Sequence, residues 1–294
     1  MPPADRTSSF AYRSGKQLLD RVRSATPLVA VELRPPRVAI GQGFEPWIDM
    51  YHAVRRLAAQ DTLIFTTDNA LGAAEEESLR HLATNLGADA DLSRVVPFLT
   101  IKHSLDYCLQ FPARALEAGH RAVVTLGGDT HDGVARCVPH AVELRRLLRD
   151  RYPGLALGGW ANPRREAGWQ VELLKREEAV TDFFLTQVVS HHDLAPVAAF
   201  LREAERQELK TPGLFGVFYY RSGNARTLAS LGSFVPVPRE GLLREFGEEG
   251  LDADQVLGRT LTALRDLGVL RYYVCNLRPQ IAAAKLNLLR RQTG

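Results

Sequence analysis

Short apolar runs and amphipathic stretches alternate along this chain from Leu28 onward. The runs are Leu28–Leu33, Thr62–Thr66, Val95–Ile101, Ala122–Leu126, Leu155–Trp160, Phe183–Val189, Gly213–Tyr219 and Leu270–Cys275. Continuous apolar segments of this length suit strands buried on both faces. Between them lie Trp47–Ala59, Glu75–Leu86, Leu105–Ala118, Ala141–Arg151, Trp169–Val180, Leu194–Gln207 and Ala253–Leu267, with apolar residues at the three-and-four spacing of half-buried helices. Eight alternations of this kind predict a parallel sheet closed into a (β/α)₈ TIM barrel. A doubly wound open sheet is the main alternative. Residues 14–24 have helical spacing at Leu18, Leu19 and Val22 and are expected to cap the barrel bottom, behind a loose arm over 1–13. The expected division is therefore 1–26 for arm and capping helix and 27–294 for the barrel. Ser230–Glu249 is longer and richer in Gly and Pro than the other connections, so it is expected to elaborate the return between the seventh and eighth strands.

One strand breaks the apolar rule. The segment Val31-Glu32-Leu33-Arg34-Pro35-Pro36-Arg37 places a carboxylate near the end of the first run. The proline pair then stops the strand, because neither residue donates a ladder hydrogen bond. Glu32 is thus expected at the carboxyl end of strand one, where α/β folds keep their chemistry. Burial among apolar neighbours would raise its pKa into a range useful to a general acid. A structural ion pair with a nearby arginine is the competing reading.

Composition adds mainly exclusions. The chain has 294 residues, 45% hydrophobic and 24% charged, with ample length for one large core. A formal net charge of +3 is too small to argue nucleic-acid binding. Cys108, Cys137 and Cys275 are too few and too dispersed for a disulfide framework or zinc motif, and reduced thiols fit a cytoplasmic protein. No apolar run approaches the roughly 18 residues of a transmembrane helix. The first residues lack the apolar stretch of a secretory signal.

The other strand ends supply Thr66-Thr67-Asp68-Asn69, Lys102-His103, Asp129, Asn162 and Arg164, Gln187, Tyr219-Tyr220-Arg221, and Asn276 with Arg278. Asp129 follows Gly127-Gly128, which would let a ligand approach the backbone, and its carboxylate would accept from a heterocycle. A turn or helix-cap role competes. Gln187 offers a paired donor and acceptor suited to a pterin edge, against the reading of a satisfied core amide. Lys175-Arg176 would grip a phosphate or glutamyl tail, or simply lie on a solvated helix face. His191-His192-Asp193 resembles a ligand cluster, but adjacent side chains do not converge on one metal without help from elsewhere. A polar loop is the expected reading, with no metal. Lys102 as a Schiff-base lysine of a barrel lyase or aldolase is a further, weaker reading.

Taken in order, several of these segments resemble the methylenetetrahydrofolate reductase family over about Leu18 to Arg278. VELRPPR resembles its opening strand, PFLT at Pro97–Thr100 its third strand, and LGGD at Leu126–Asp129 its Leu-x-Gly-Asp. ANP at Ala161–Pro163, LLKREEA and FFLTQ resemble its segments around strands five and six. The resemblance implies a (β/α)₈ barrel that reduces 5,10-methylenetetrahydrofolate to 5-methyltetrahydrofolate with hydride from NADH or NADPH, usually relayed by FAD. It makes Glu32 the general acid and Asp129 and Gln187 pterin ligands, Asp129 also adjusting the electrostatics of the site. Tyr219 and Arg278 are assigned to substrate, and Thr66, Asn162 and Lys175 to FAD. Departures gather on the flavin side: Phe98 replaces the family's histidine and Gly127 its arginine. They leave room for direct hydride transfer from NAD(P)H, or for a non-catalytic folate-binding or partner subunit. A homo-oligomer is compatible with the sequence.

Overall fold

The computed structural model describes residues 6–36, 45–67, 91–128 and 133–293, with side chains from Gly15 onward. The predicted helix Glu75–Leu86 and Asp129 lie outside the described residues. In chain order the elements are α1 (Arg6–Arg23), β1 (Leu28–Leu33), α2 (Glu45–Ala59), β2 (Ile64–Thr66), a 3₁₀ turn (Leu92–Arg94), β3 (Val95–Thr100), α3 (Leu105–Ala118), β4 (Ala122–Leu126) and α4 (Ala141–Arg151). Then follow β5 (Ala156–Ala161), α5 (Ala167–Glu177), β6 (Phe183–Val189), α6 (Ala195–Arg206), β7 (Gly213–Phe218), α7 (Ala225–Leu231), α8 (Arg239–Gly247), α9 (Ala253–Asp266), β8 (Arg271–Cys275) and α10 (Pro279–Thr293).

The eight strands form a closed barrel in sequence order, and every neighbouring pair, β8 with β1 included, is parallel. The fold is the (β/α)₈ barrel that the alternation predicts. Two differences concern helices. α1 begins at Arg6, well before residue 14, since no glycine or proline interrupts residues 6–13. α10 was not among the predicted stretches, because its buried face is carried partly by Ala282 and Ala283, whose small side chains give a weak apolar signal. The Ser230–Glu249 connection does hold an elaboration, α8 with its flanking turns.

Strand alternation sorts the core into two layers. Leu28, Ala30, Phe65, Val96, Phe98, Ala122, Val124, Ala156, Phe183, Leu185, Leu214 and Tyr273 form one cluster drawn from all eight strands. Apart from Leu18 and Val22 of α1, no helix contributes a buried residue to it, so this cluster is the lumen and α1 closes its amino-terminal end. Val29, Val31, Leu33 and Ile64 point the other way and pack on Met50, Val54 and Leu57 of α2. The lumen is filled by rings: Phe65 lies 6.1 Å from Phe98, 6.5 Å from Phe183 and 6.0 Å from Tyr273 between centroids. Each buried ring of this kind stabilises the fold by about 1.5–3 kcal/mol. The packed floor leaves chemistry to the carboxyl ends of the strands.

Candidate functional site

Glu32 is the polar exception on the lumen face of β1, two residues beyond Ala30. The register sets Glu32 beside Phe65 and Leu33 beside Thr66. The ladder then continues by one bond, the Thr67 N–H donating to the Leu33 carbonyl at 3.1 Å. That bond turns the Thr67 side chain inward, and its hydroxyl donates to Glu32 Oε1 at 2.6 Å. Although the Glu32 side chain keeps some contact with solvent, protein surrounds it. Burial raises its pKa, opposed in smaller measure by the Thr67 hydrogen bond and the Arg34 charge. Glu32 is the one carboxylate on the lumen face among the described residues.

Tyr273 and Cys275, inward on β8, lie close enough to feel this carboxylate. Burial first, and then the Glu32 charge, hold both groups well above their ordinary pKa values. Tyr273 crosses the lumen and donates its hydroxyl proton to the Thr186 carbonyl. Gly216 is what allows the crossing, because a Cβ there would meet the Tyr273 hydroxyl oxygen at 2.5 Å. The Thr186 carbonyl is available because β6 carries an irregularity: its register against β7 shifts between Leu185 and Val188. An extra residue of this kind frees ladder groups and re-aims side chains. The Thr186 hydroxyl takes the Gly216 N–H at 3.0 Å. Gln187 Oε1 accepts from the Val188 N–H at 2.9 Å. The Gln187 amide oxygen is thus partly committed to its own strand, while its NH₂ end makes no hydrogen bond among the described residues.

The remaining sequence candidates divide by place. Asn162 stands at the end of β5, but its side-chain oxygen accepts from the Arg164 N–H at 3.1 Å and its own N–H donates to Gln170 Oε1 at 3.0 Å. It shapes a turn. Arg278 is exposed at the β8 end. Its charge, after burial, lowers the pKa of Arg221, which donates to the Asn276 carbonyl at 2.7 Å. Arg221 and Arg278 therefore form a cationic pair on the rim.

Three assignments are not gathered there. Thr66 is one residue out of phase with the lumen and faces the helix layer beside Ile64. Tyr219 also faces the helices: its hydroxyl donates to Asp254 Oδ1 of α9 at 2.9 Å, and Lys285 of α10 donates to the same carboxylate. Lys175 lies in the last turn of α5 and donates to the Gln207 carbonyl. Since α5 starts at the carboxyl end of β5 and runs back, its last turn is at the opposite end of the barrel. The room over Gly127-Gly128 is taken too. A Cβ at Gly128 would meet Lys102 Cε at 2.7 Å, and Arg136 Nη2 donates to the Gly128 carbonyl at 3.2 Å.

Residues to which sequence reasoning gave no role in the site are Thr67, named only within its strand-end run, Tyr273, Cys275 and Trp160. Trp160 is a partly buried member of the lumen cluster at the β5 end. Strand parity counted from Glu32 or Phe65 was the signal that would have found Thr67. Tyr273 carries none in sequence, since it reads as one more aromatic strand residue.

No family model and no curated protein matches the chain. Among solved structures it is similar to an uncharacterized protein from Clostridium thermocellum that binds two copies of 5-methyl-5,6,7,8-tetrahydrofolic acid. Identity is 17% over 93% of this chain and 98% of that one, with a TM-score of 0.65. A putative lyase/mutase from Burkholderia cenocepacia J2315 is 16% identical over 96% of this chain and 87% of that one, TM-score 0.51. Dihydrodipicolinate synthase from Oceanobacillus iheyensis is 12% identical over 95% of this chain and 75% of that one, TM-score 0.52. At these identities the likeness is one of fold. Among the described residues, no helix is long and apolar enough to cross a membrane.

Proposed function

We propose that the barrel mouth binds a reduced folate and that Glu32 donates a proton to it, as in a methylenetetrahydrofolate reductase. The observation that carries this reading is the one lumen-face carboxylate among the described residues, its pKa raised by burial and its oxygen held by Thr67. A carboxyl that holds its proton to higher pH than an ordinary glutamate is suited to the task. Its proton passes to the ring nitrogen that leaves as the five-membered ring of 5,10-methylenetetrahydrofolate opens. The resulting iminium accepts hydride, supplied by NADH or NADPH, to become the methyl group. The NH₂ of Gln187 serves as a donor to the pterin. The rim pair Arg221 and Arg278 suits the carboxylates of a glutamyl tail. The fold shared with the Clostridium thermocellum protein, which binds a methylated reduced folate, supports the ligand class.

Two of the three residues assigned to FAD do not fit that role, because Thr66 faces the helices and Lys175 lies at the far end of α5. The visible spectrum of the purified chain tests FAD directly. A second reading, folate binding without turnover, is supported by the same neighbour, which binds two copies of 5-methyl-5,6,7,8-tetrahydrofolic acid.

Calorimetric titration with 5-methyltetrahydrofolate tests the ligand, and NAD(P)H oxidation with 5,10-methylenetetrahydrofolate tests the reaction. The wild-type chain is expected to bind and turn over. Glu32→Gln is expected to bind while losing about 10²–10⁴-fold in turnover, the usual weight of a general acid. Absence of folate binding by the wild type would refute the ligand class, and unchanged turnover in the variant would refute the acid. Binding with no turnover in either chain would establish the second reading.

A further inference from the structure

Outside the lumen, the two adjacent histidines receive the help from elsewhere that their sequence lacked. We propose that His191, His192 and Glu245 form a zinc-binding site just past the carboxyl end of β6, with Thr260 as its positioning residue.

The turn after β6 makes the convergence possible. Along an extended strand neighbouring side chains diverge, but the Asp193 N–H donates to the Ser190 carbonyl at 3.1 Å and folds the backbone. The two imidazoles consequently lie together, centroids 4.0 Å apart and planes 36° from parallel. Glu245 reaches them from α8, its side chain 1% exposed. Oε1 is 2.9 Å from His191 Nε2, and Oε2 is 3.0 Å from His192 Nε2. The three ligand atoms lie within 4.8 Å of one another.

These separations suit the ion. Tetrahedral zinc holds nitrogen and oxygen ligands at about 2.0–2.1 Å, which sets neighbouring ligand atoms about 3.3 Å apart. The two nitrogen–oxygen separations, 2.9 and 3.0 Å, have to open by only a few tenths of an ångström to reach that value. Two imidazoles and a carboxylate are a donor set zinc accepts, and they leave a fourth position for solvent. Each histidine side chain is slightly exposed, 15% and 12%, so the ion has a way in.

The surroundings look built for this geometry. His191 Nδ1 is 2.7 Å from Thr260 Oγ1 on α9. With Nε2 on the metal, Nδ1 carries the proton and donates to that hydroxyl, which then fixes the ring as the outer partner of a metal-bound histidine does. A hydroxyl both donates and accepts, so Thr260 serves the metal-free tautomer as well. A neutral histidine therefore exchanges its Nε2 proton for the ion by moving a proton to Nδ1. Gly241, one turn before Glu245, lets α8 close on His192: a Cβ there would fall 2.3 Å from His192 Nδ1. Arg259 holds Glu245 Oε1 at 2.8 Å and competes with a cation. It also reaches Glu249 Oε2 at 2.6 Å, so an alternative anion is already in place when Glu245 turns to the metal.

The experiment uses the full chain, stripped by chelator dialysis, titrated with zinc chloride against a chromogenic chelator and separately with cobalt(II). One equivalent of zinc is expected, with cobalt absorption of tetrahedral intensity. Glu245→Gln and His192→Gln are expected to abolish stoichiometric binding. Thr260→Val, which leaves every ligand in place, is expected to weaken it about 10–100-fold. Circular dichroism and urea unfolding confirm that each variant is folded. Failure of the wild type to bind one equivalent, or binding of equal affinity in all three folded variants, would overturn the proposal.

Discussion

Thr67→Val isolates the hydrogen bond that sets the acidity of Glu32. The substitution keeps the side-chain shape and removes only the hydroxyl that donates to Glu32 Oε1 at 2.6 Å. That length is in the range of charge-assisted bonds, and a hydrogen bond to a charged group contributes about 1.5–3 kcal/mol. The ionised carboxylate loses this stabilisation, whereas the protonated carboxyl loses less. At about 1.4 kcal/mol per factor of ten, the proton affinity of Glu32 should rise about ten- to a hundred-fold. Burial already raises its pKa, and the added methyl acts in the same direction, leaving the Arg34 charge as the remaining opposing influence.

Linkage gives the effect a second signature. With its folded pKa raised above the ordinary 4.5, Glu32 binds more protons in the folded chain than in the unfolded one. Its contribution to stability is greatest below 4.5 and declines as pH rises through the folded value. Thr67→Val should extend this decline to higher pH, with the loss near neutrality about 1.5–3 kcal/mol and a smaller loss in acid. The carboxyl C=O stretch, followed by infrared difference spectroscopy against Glu32→Gln, reads the titration, and urea unfolding at several pH values reads the stability. A titration midpoint unchanged or lower in Thr67→Val would refute the reasoning.

Two further predictions concern the frame. His120 is fully buried with Nδ1 2.8 Å from the Val95 carbonyl, and burial pushes its pKa from 6.5 down to about 4. The unfolded chain then binds the extra proton, so stability should fall by about 3 kcal/mol as pH drops from 6.5 towards 4, and His120→Gln should flatten that slope in urea unfolding. Arg145 is 2% exposed and holds Glu177, Thr125 Oγ1 at 2.8 Å and Thr181 Oγ1 at 2.9 Å. Arg145→Met should cost about 3–5 kcal/mol by stranding a buried carboxylate, and adding Glu177→Leu should recover much of it; equal denaturation midpoints for the single and double variants would count against this account.

Glu32 was legible because a carboxylate in an apolar strand breaks a local rule, and the prolines after it mark the end of the strand. Thr66 was the misplacement nearest to success. Choosing between Thr66 and Thr67 is a matter of one residue, and in a strand one residue exchanges the lumen for the helix layer. Tyr219 failed likewise: of the inward residues of β7, Leu214 and Gly216, the one nearer to it has no side chain to mark the face. Lys175 was placed by resemblance on the right helix, but the direction of that helix carries its last turn away from the mouth. His191 and His192 were visible as a pair. Their carboxylate partner lies on an elaboration between later strands, where nothing in the intervening residues announces it.

What the sequence settled unaided was the alternation of strand and helix, hence the barrel, together with the oddity of Glu32. Those properties arise from neighbours in the chain, through backbone periodicity and the chemistry of proline. Which residues meet was decided only by closure of the sheet. Closure set the register that brings Thr67 to Glu32, the β6 irregularity that hands Thr186 to Tyr273, and the approach of α8 that gives the histidines their glutamate. Contacts between residues far apart in the chain depend on how whole elements pack, and no local pattern encodes that.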